Sequence, residues 1–182
     1  MKTSPAGVTF IDDFIRGKQD YFKDQGVKGS FAAQVDPFVS TTAKNVPGTQ
    51  EKKPTALFLA QELAHHEDVE ILAMLVGADG KPSRLGHFIT VTDLKWVDQD
   101  GKGTAQQSED ARFGFIDPNG GVYRDNRLIY EENGTLYQKG PTGDTFQITA
   151  IVSESPVPEP GTLALFGTGL AGLWRLRRRK TA

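Results

Sequence analysis

An α+β domain followed by a C-terminal transmembrane helix is the architecture this sequence predicts, and three observations carry it. Apolar residues recur at helical spacing in two early stretches, residues 9–25 and 56–65. From residue 69 onward the pattern changes to β-branched and alternating runs, broken by Gly, Pro, Asn and Asp. Helices first and a mainly antiparallel sheet afterwards make the α+β class. The third observation is the end of the chain, where residues 162–174 carry no charge and Arg175-Leu176-Arg177-Arg178-Arg179-Lys180 follows directly.

Residues 9–25 place Phe10, Ile11, Phe14, Ile15, Tyr21 and Phe22 at helical spacing, and Gly26 stands where a helix C-cap needs it. Residues 29–35 predict a short strand before Pro37, and the Ser-, Thr-, Asn- and Pro-rich residues 40–54 a loop. Thr55 is placed to cap a second helix, with Leu57, Phe58, Ala60, Leu63 and Ala64 as its buried stripe. The nearly continuous apolar run 69–76 predicts a strand covered on both faces. Ala78-Asp79-Gly80-Lys81-Pro82 turns the chain into a long strand, 86–97, and residues 111–116 make another. A turn at Asp117-Pro118-Asn119-Gly120-Gly121 leads to three short strands, 122–124, 128–131 and 135–138, and a last one, 145–152. The expected divisions are a globular body at 1–152, a linker with a Pro-Glu-Pro motif at 153–161, and helix plus basic tail at 162–182.

The chain has no cysteine, which removes disulfides, thiolate metal sites and a thiol nucleophile. Its 21 Lys and Arg against 23 Asp and Glu hide an asymmetry. Setting aside the five tail bases leaves 16 against 23, so residues 1–174 carry −7. An acidic body without a basic patch argues against nucleic acid as a partner. As a helix the apolar run covers about 20 Å, short of the roughly 30 Å hydrocarbon core, a gap that snorkelling arginines and local thinning can close. Arg175, Arg177, Arg178, Arg179 and Lys180 anchor the tail in the cytoplasm and leave the body outside. No apolar signal segment follows Met1-Lys2-Thr3-Ser4-Pro5-Ala6-Gly7, so an external body predicts that this chain is a piece of a longer reading frame.

The order Val157-Pro158-Glu159-Pro160, short apolar run, basic end resembles the PEP-CTERM sorting signal of Gram-negative bacteria, over residues 157–180. The resemblance implies an exosortase as partner and cleavage near Pro158-Glu159-Pro160. It also implies a stay in the inner membrane with the body periplasmic, then delivery to the cell surface or the extracellular exopolysaccharide. The alternative is a plain membrane anchor whose prolines only break the chain ahead of the helix.

In an antiparallel pair the start of one strand lies beside the end of its neighbour. His87 opens one predicted strand and Asp117 closes the next, so the two can meet. A carboxylate there would fix the imidazole tautomer and stabilise the imidazolium, as a general base requires. Gly86-His87 and Asp117-Pro118, with residues 55–76 ahead of them, resemble the His and Asp half of papain-like cysteine peptidases of the C39-like group, over residues 9–120. That resemblance implies a papain-like fold with His87 as base and Asp117 as its orienting partner. The nucleophilic cysteine and the oxyanion-hole glutamine of the group are absent, so this chain alone is not expected to cleave peptides. The other reading makes His87 a polar strand-edge residue and Asp117-Pro118 the start of a turn.

Residues 98–109 match part of a twelve-residue calcium loop, with Asp98 and Asp100 at positions one and three, Gly103 at six and Glu109 at twelve. Lys102 at position five puts a cation where an oxygen ligand belongs. Asp98, Asp100 and Glu109 are thus calcium candidates against a solvated Asp-Gly hairpin loop, and no other cofactor is implied. His65 and His66 project about 100° apart on a helix, which fits favourable charge at its C-terminus better than a shared metal. Asn133-Gly134-Thr135 matches a glycosylation sequon and equally a turn. Trp96, Tyr123, Tyr130 and Tyr137 suit either sugar stacking or sheet packing. The sequence leads to an exported surface protein with a peptidase-like body lacking its nucleophile. A non-catalytic β-rich binding or structural module of the extracellular matrix is the competing reading.

Overall fold

The computed structural model describes residues 9–118, 121–140 and 142–156. Helix α1 (Ile11–Asp24) comes first, with Ile11, Phe14 and Ile15 buried. It ends at Gly26, whose φ of 66° lets the Gly26 and Val27 N–H groups close back on the Lys23 and Phe22 carbonyls at 3.1 and 2.9 Å. Strand β1 (Gly29–Val35) runs parallel to the three-residue β2 (Thr49–Glu51). Helix α2 (Ala56–Ala64) starts at Thr55, whose hydroxyl accepts the Phe58 N–H at 3.2 Å. It stops at His66, a left-handed residue with φ 61°, where the His66 and Glu67 N–H groups bond to the Leu63 and Glu62 carbonyls.

Six strands follow: β3 (Asp68–Val76), β4 (Pro82–Lys95), β5 (Arg112–Asp117), β6 (Gly121–Glu132), β7 (Thr135–Lys139) and β8 (Thr145–Pro156). Each is antiparallel to the next, and β8 pairs with β3 along one edge and β7 along the other. The ring closes as a six-stranded barrel. β8 is long enough to serve twice on its second edge, since residues 145–147 face β7 and residues 150–156 carry β1.

All six strands send side chains inward, among them Ile71, Ile89, Phe113, Ile129, Leu136 and Ile148, and these pack with Ala56, Phe58 and Leu59 of α2. Strands β3 and β6 lie on opposite sides of the ring, and α2 touches both, so it lies across one mouth. A second cluster, outside the barrel, joins Ile11, Phe14 and Ile15 of α1 to Leu72 and Met74 of β3 and to β1 and β8. β3 is therefore covered on both faces, with Val69 and Ile71 inward and Leu72 and Met74 under α1. Burying one such side chain stabilises by about 1.5–3 kcal/mol, more than a typical exposed ion pair, so these clusters dominate the fold's energetics.

The expected α+β, papain-like domain is overturned by this arrangement. Strands of up to 14 residues, antiparallel throughout the ring, coil far enough to close on themselves, leaving two helices as a plug and an outer brace. No helix among the described residues is long and apolar enough to cross a membrane. The transmembrane helix expected at 162–182 lies outside the described residues. The short strands expected at 122–124 and 128–131 are one strand, β6. Its pairing with β5 slips between Phe113↔Arg127 and Phe115↔Tyr123, so the polar stretch makes a bulge where a turn was expected. Residues 153–156, expected as linker, continue β8.

One charged cluster ties α1 to the barrel. Lys18 Nζ reaches Glu70 of β3 at 2.6 Å and Glu154 of β8 at 2.5 Å, with only 14–15% of each side chain exposed. Burial pulls the Lys18 ammonium down, but the bonds to Glu154 and Glu70 outweigh it and hold it above the ordinary lysine range. Burial pushes the Glu70 carboxyl up, and the bond to Lys18 only partly opposes it. The two partners thus differ: the lysine gains from two carboxylates, whereas Glu70 shares a single ammonium. Lys18→Met is expected to cost about 3 kcal/mol at neutral pH, by leaving two carboxylates buried without a counter-ion. The loss should shrink as the pH falls through the raised pKa of Glu70, because the neutral carboxyl needs no cation. Denaturant melts at several pH values check both parts. His66→Gly, relieving the left-handed residue, should raise stability by about 1 kcal/mol in the same assay.

Candidate functional site

α1 does not lie flush on the barrel. A groove of about 590 Å³ runs between it and β4 and β5, lined by Phe14, Tyr21, Phe22, Phe88, Thr90 and Ile116, with Lys18, Glu70 and Glu154 in its wall. Phe14 and Phe88 stack with centroids 4.1 Å apart. Sequence reasoning missed this cluster because Lys18 is 52 and 136 residues from its partners. The one local signal was Glu70, a charge inside the otherwise apolar run of β3.

His87 and Asp117 do come together: His87 Nε2 and Asp117 Oδ1 are 2.6 Å apart, with side chains 39% and 23% exposed. Ile89 and Phe115 point into the core, and His87 and Asp117, two residues along each strand, share that face. They stand at the mouth opposite α2. The α2 end is marked by the Ala56 N–H donating to Glu131 near the end of β6, whereas Asp117 ends β5 beside the start of β6. An imidazole beside a carboxylate can hold and pass a proton. With no cysteine in the chain, this pair has no thiol to activate.

The loop from Asp98 to Glu109 gathers its three acids, with ligand atoms within 4.8 Å of one another. The loop's own donors already engage them. Lys102 Nζ and Gln106 Nε2 sit on Asp100 Oδ2 at 2.7 and 2.6 Å, and the Gly103 N–H donates to Asp98 at 2.7 Å. Glu109 accepts from the Trp96 indole at 2.8 Å and from the Gln99 and Gln106 N–H groups. The Trp96 bond chiefly holds the Glu109 carboxyl below the ordinary range, and Lys102 does the same for Asp100. His65 and His66 close α2 at its reversal, and Asn133-Gly134, φ 52° and 68°, is the two-residue turn between β6 and β7.

Val157, Pro158, Glu159, Pro160 and the basic residues from Arg175 to Lys180 lie outside the described residues. They are nonetheless covered by a family model, the PEP-CTERM protein-sorting motif, which matches residues 156–180. No curated protein and no solved structure matches the chain. The motif implies exosortase as the processing partner and a protein anchored at the membrane and then exported. Neither these comparisons nor the barrel supports the C39-like peptidase body.

Lys102 fills the place of a calcium ligand, so in a Trp174→Phe background millimolar calcium should leave Trp96 emission unchanged. Lys102→Asp, which supplies the missing carboxylate, should make that emission calcium-dependent. For Glu109, whose folded pKa is lowered, the stabilising contribution is present above the ordinary glutamate value. It is lost as the pH falls through the lowered value, and an acid titration of Trp96 emission should follow it.

Proposed function

We propose that this chain is an exosortase-sorted surface protein whose barrel is a non-catalytic binding or structural module of the extracellular matrix, associated with exopolysaccharide. The sorting motif carries the reading, because it joins a processing site to a membrane segment and a basic end in the order such a signal requires. In this account Val157, Pro158, Glu159 and Pro160 form the recognised motif, and Arg175, Arg177, Arg178, Arg179 and Lys180 hold the tail in the cytoplasm until processing.

Two features of the body favour a module over an enzyme. Among the described residues the barrel interior is filled by packed side chains from all six strands, with α2 across one mouth. The His87–Asp117 pair stands at the open mouth without a thiol beside it, and it fits a cross-strand contact that fastens β4 to β5.

Expression of the full chain behind a secretory signal peptide, with and without a partner exosortase, tests the delivery. With the enzyme, a shorter product lacking the apolar tail should appear outside the inner membrane. Without it, or with Pro158→Ala and Glu159→Ala together, full-length chain should stay in the membrane fraction. Full-length chain found in the cytosol with its tail intact would end the reading.

A further inference from the structure

The sorting match begins at residue 156, and residue 156 still belongs to β8. Barrel and motif have no spacer between them. In the β1–β8 ladder Gly29 pairs with Pro156, Ser30 with Ser155, Phe31 with Glu154 and Ala32 with Ser153. Ser153 and Glu154 also pair with Val69 and Asp68 of β3 on their other edge. α1 holds the same segment from outside the sheet. Lys18 bonds Glu154, and the Phe22 ring lies so close over Gly29 that a Cβ there would be 2.2 Å from it. Phe22 also packs against Phe31, centroids 5.2 Å apart.

Enzymes that process a peptide commonly take it in an extended form, with main-chain hydrogen bonds as to an added strand and with flanking residues in the cleft. The upstream flank of this motif is the end of β8, whose main-chain groups already serve β1. Two partners therefore compete for one strand edge. We propose that β8 residues 153–156 belong to the surface exosortase binds, and that β1, Lys18 and Phe22 form a clasp that must release them first. This rests on the reading of the chain as an exosortase substrate.

The clasp is built to open from its tip. Along β1, burial falls from Val35, Gln34 and Ala33, which are buried, to Gly29 and Ser30, which are exposed. Opening the Gly29, Ser30 and Phe31 pairs therefore uncovers no buried residue of either core cluster, and Ala32, packed against the inner one and paired with Ser153, is the last to part. The β7–β8 contact, at residues 145–147, lies at the far end of the strand and is untouched.

The ladder supplies its own test. Ser30 and Ser155 are direct partners, and residues opposite each other in an antiparallel pair stand about 4.5–5.5 Å apart, within disulfide reach. The chain has no cysteine of its own, so S30C with S155C creates a single defined bridge. The full-length double variant, in membranes holding exosortase, is followed for appearance of the shortened product. Oxidised, it should be processed about tenfold slower than wild type or worse, and a reductant should restore the rate. The single variant S30C should match wild type, S155C alone sets the rate that the reduced double variant should regain, and Phe22→Ala, which loosens the clasp, should be processed faster. Processing of the bridged chain at the wild-type rate would overturn the clasp while leaving the sorting role standing. Failure of exosortase to process the wild-type chain would overturn the sorting role, and the clasp with it.

Discussion

Closure of the ring through β8 is the constraint on which the rest of the molecule depends. A sheet of six strands with loose ends would expose two rows of unpaired main-chain groups, and here β8 satisfies one row from β3 and the other from β7. Its length decides the outcome. Twelve residues suffice to complete the barrel with the first few and to seat β1 with the remainder. β1 and α1 are positioned by that second use, since they pack where β8 has parted from β7. The Lys18 cluster follows from the same strand, because the pairing of β3 with β8 sets Glu70 and Glu154 side by side under α1.

Elements were more legible than their assembly. The helix ending at Gly26 and the one starting at Thr55 were readable because caps and amphipathic spacing are local signals. The double coverage of β3 was readable because an apolar strand without alternation has no face to offer water. Closure was not readable, because it depends on pairing between β3 and β8, some eighty residues apart, and nothing in either strand names its partner. The polar residues near 125 misled in a different way. In a continuous sheet a bulge absorbs extra residues, and its composition resembles that of a turn. The helices-first order suggested an α+β layout, although two helices of 14 and 9 residues serve a barrel equally well.

The candidate sites show the same division. His87 and Asp117 were within reach of sequence reasoning, because strand order alone predicts which ends are neighbours. The acids at 98–109 were visible as a spacing, but the spacing could not show that Lys102, Gln106 and Trp96 would turn inward on them. The loop's own donors engage Asp100, Glu109 and one oxygen of Asp98, while Asp98 Oδ1 is left without a partner among the described residues. The groove under α1 had no linear signature, being assembled from a helix and four strands.

The outermost strand of the whole sheet is β2, three residues long, reading Thr49-Gln50-Glu51 and followed by Lys52 and Lys53. Wherever molecules meet at high concentration, bare strand rims can recruit one another into fibres. A rim this brief, and ending in charge, offers a neighbour no runway for such zippering. The outer edge of β1 beyond it, residues 29–32, is the longer stretch of bare main chain among the described residues, so β2 shields only the buried half of that strand.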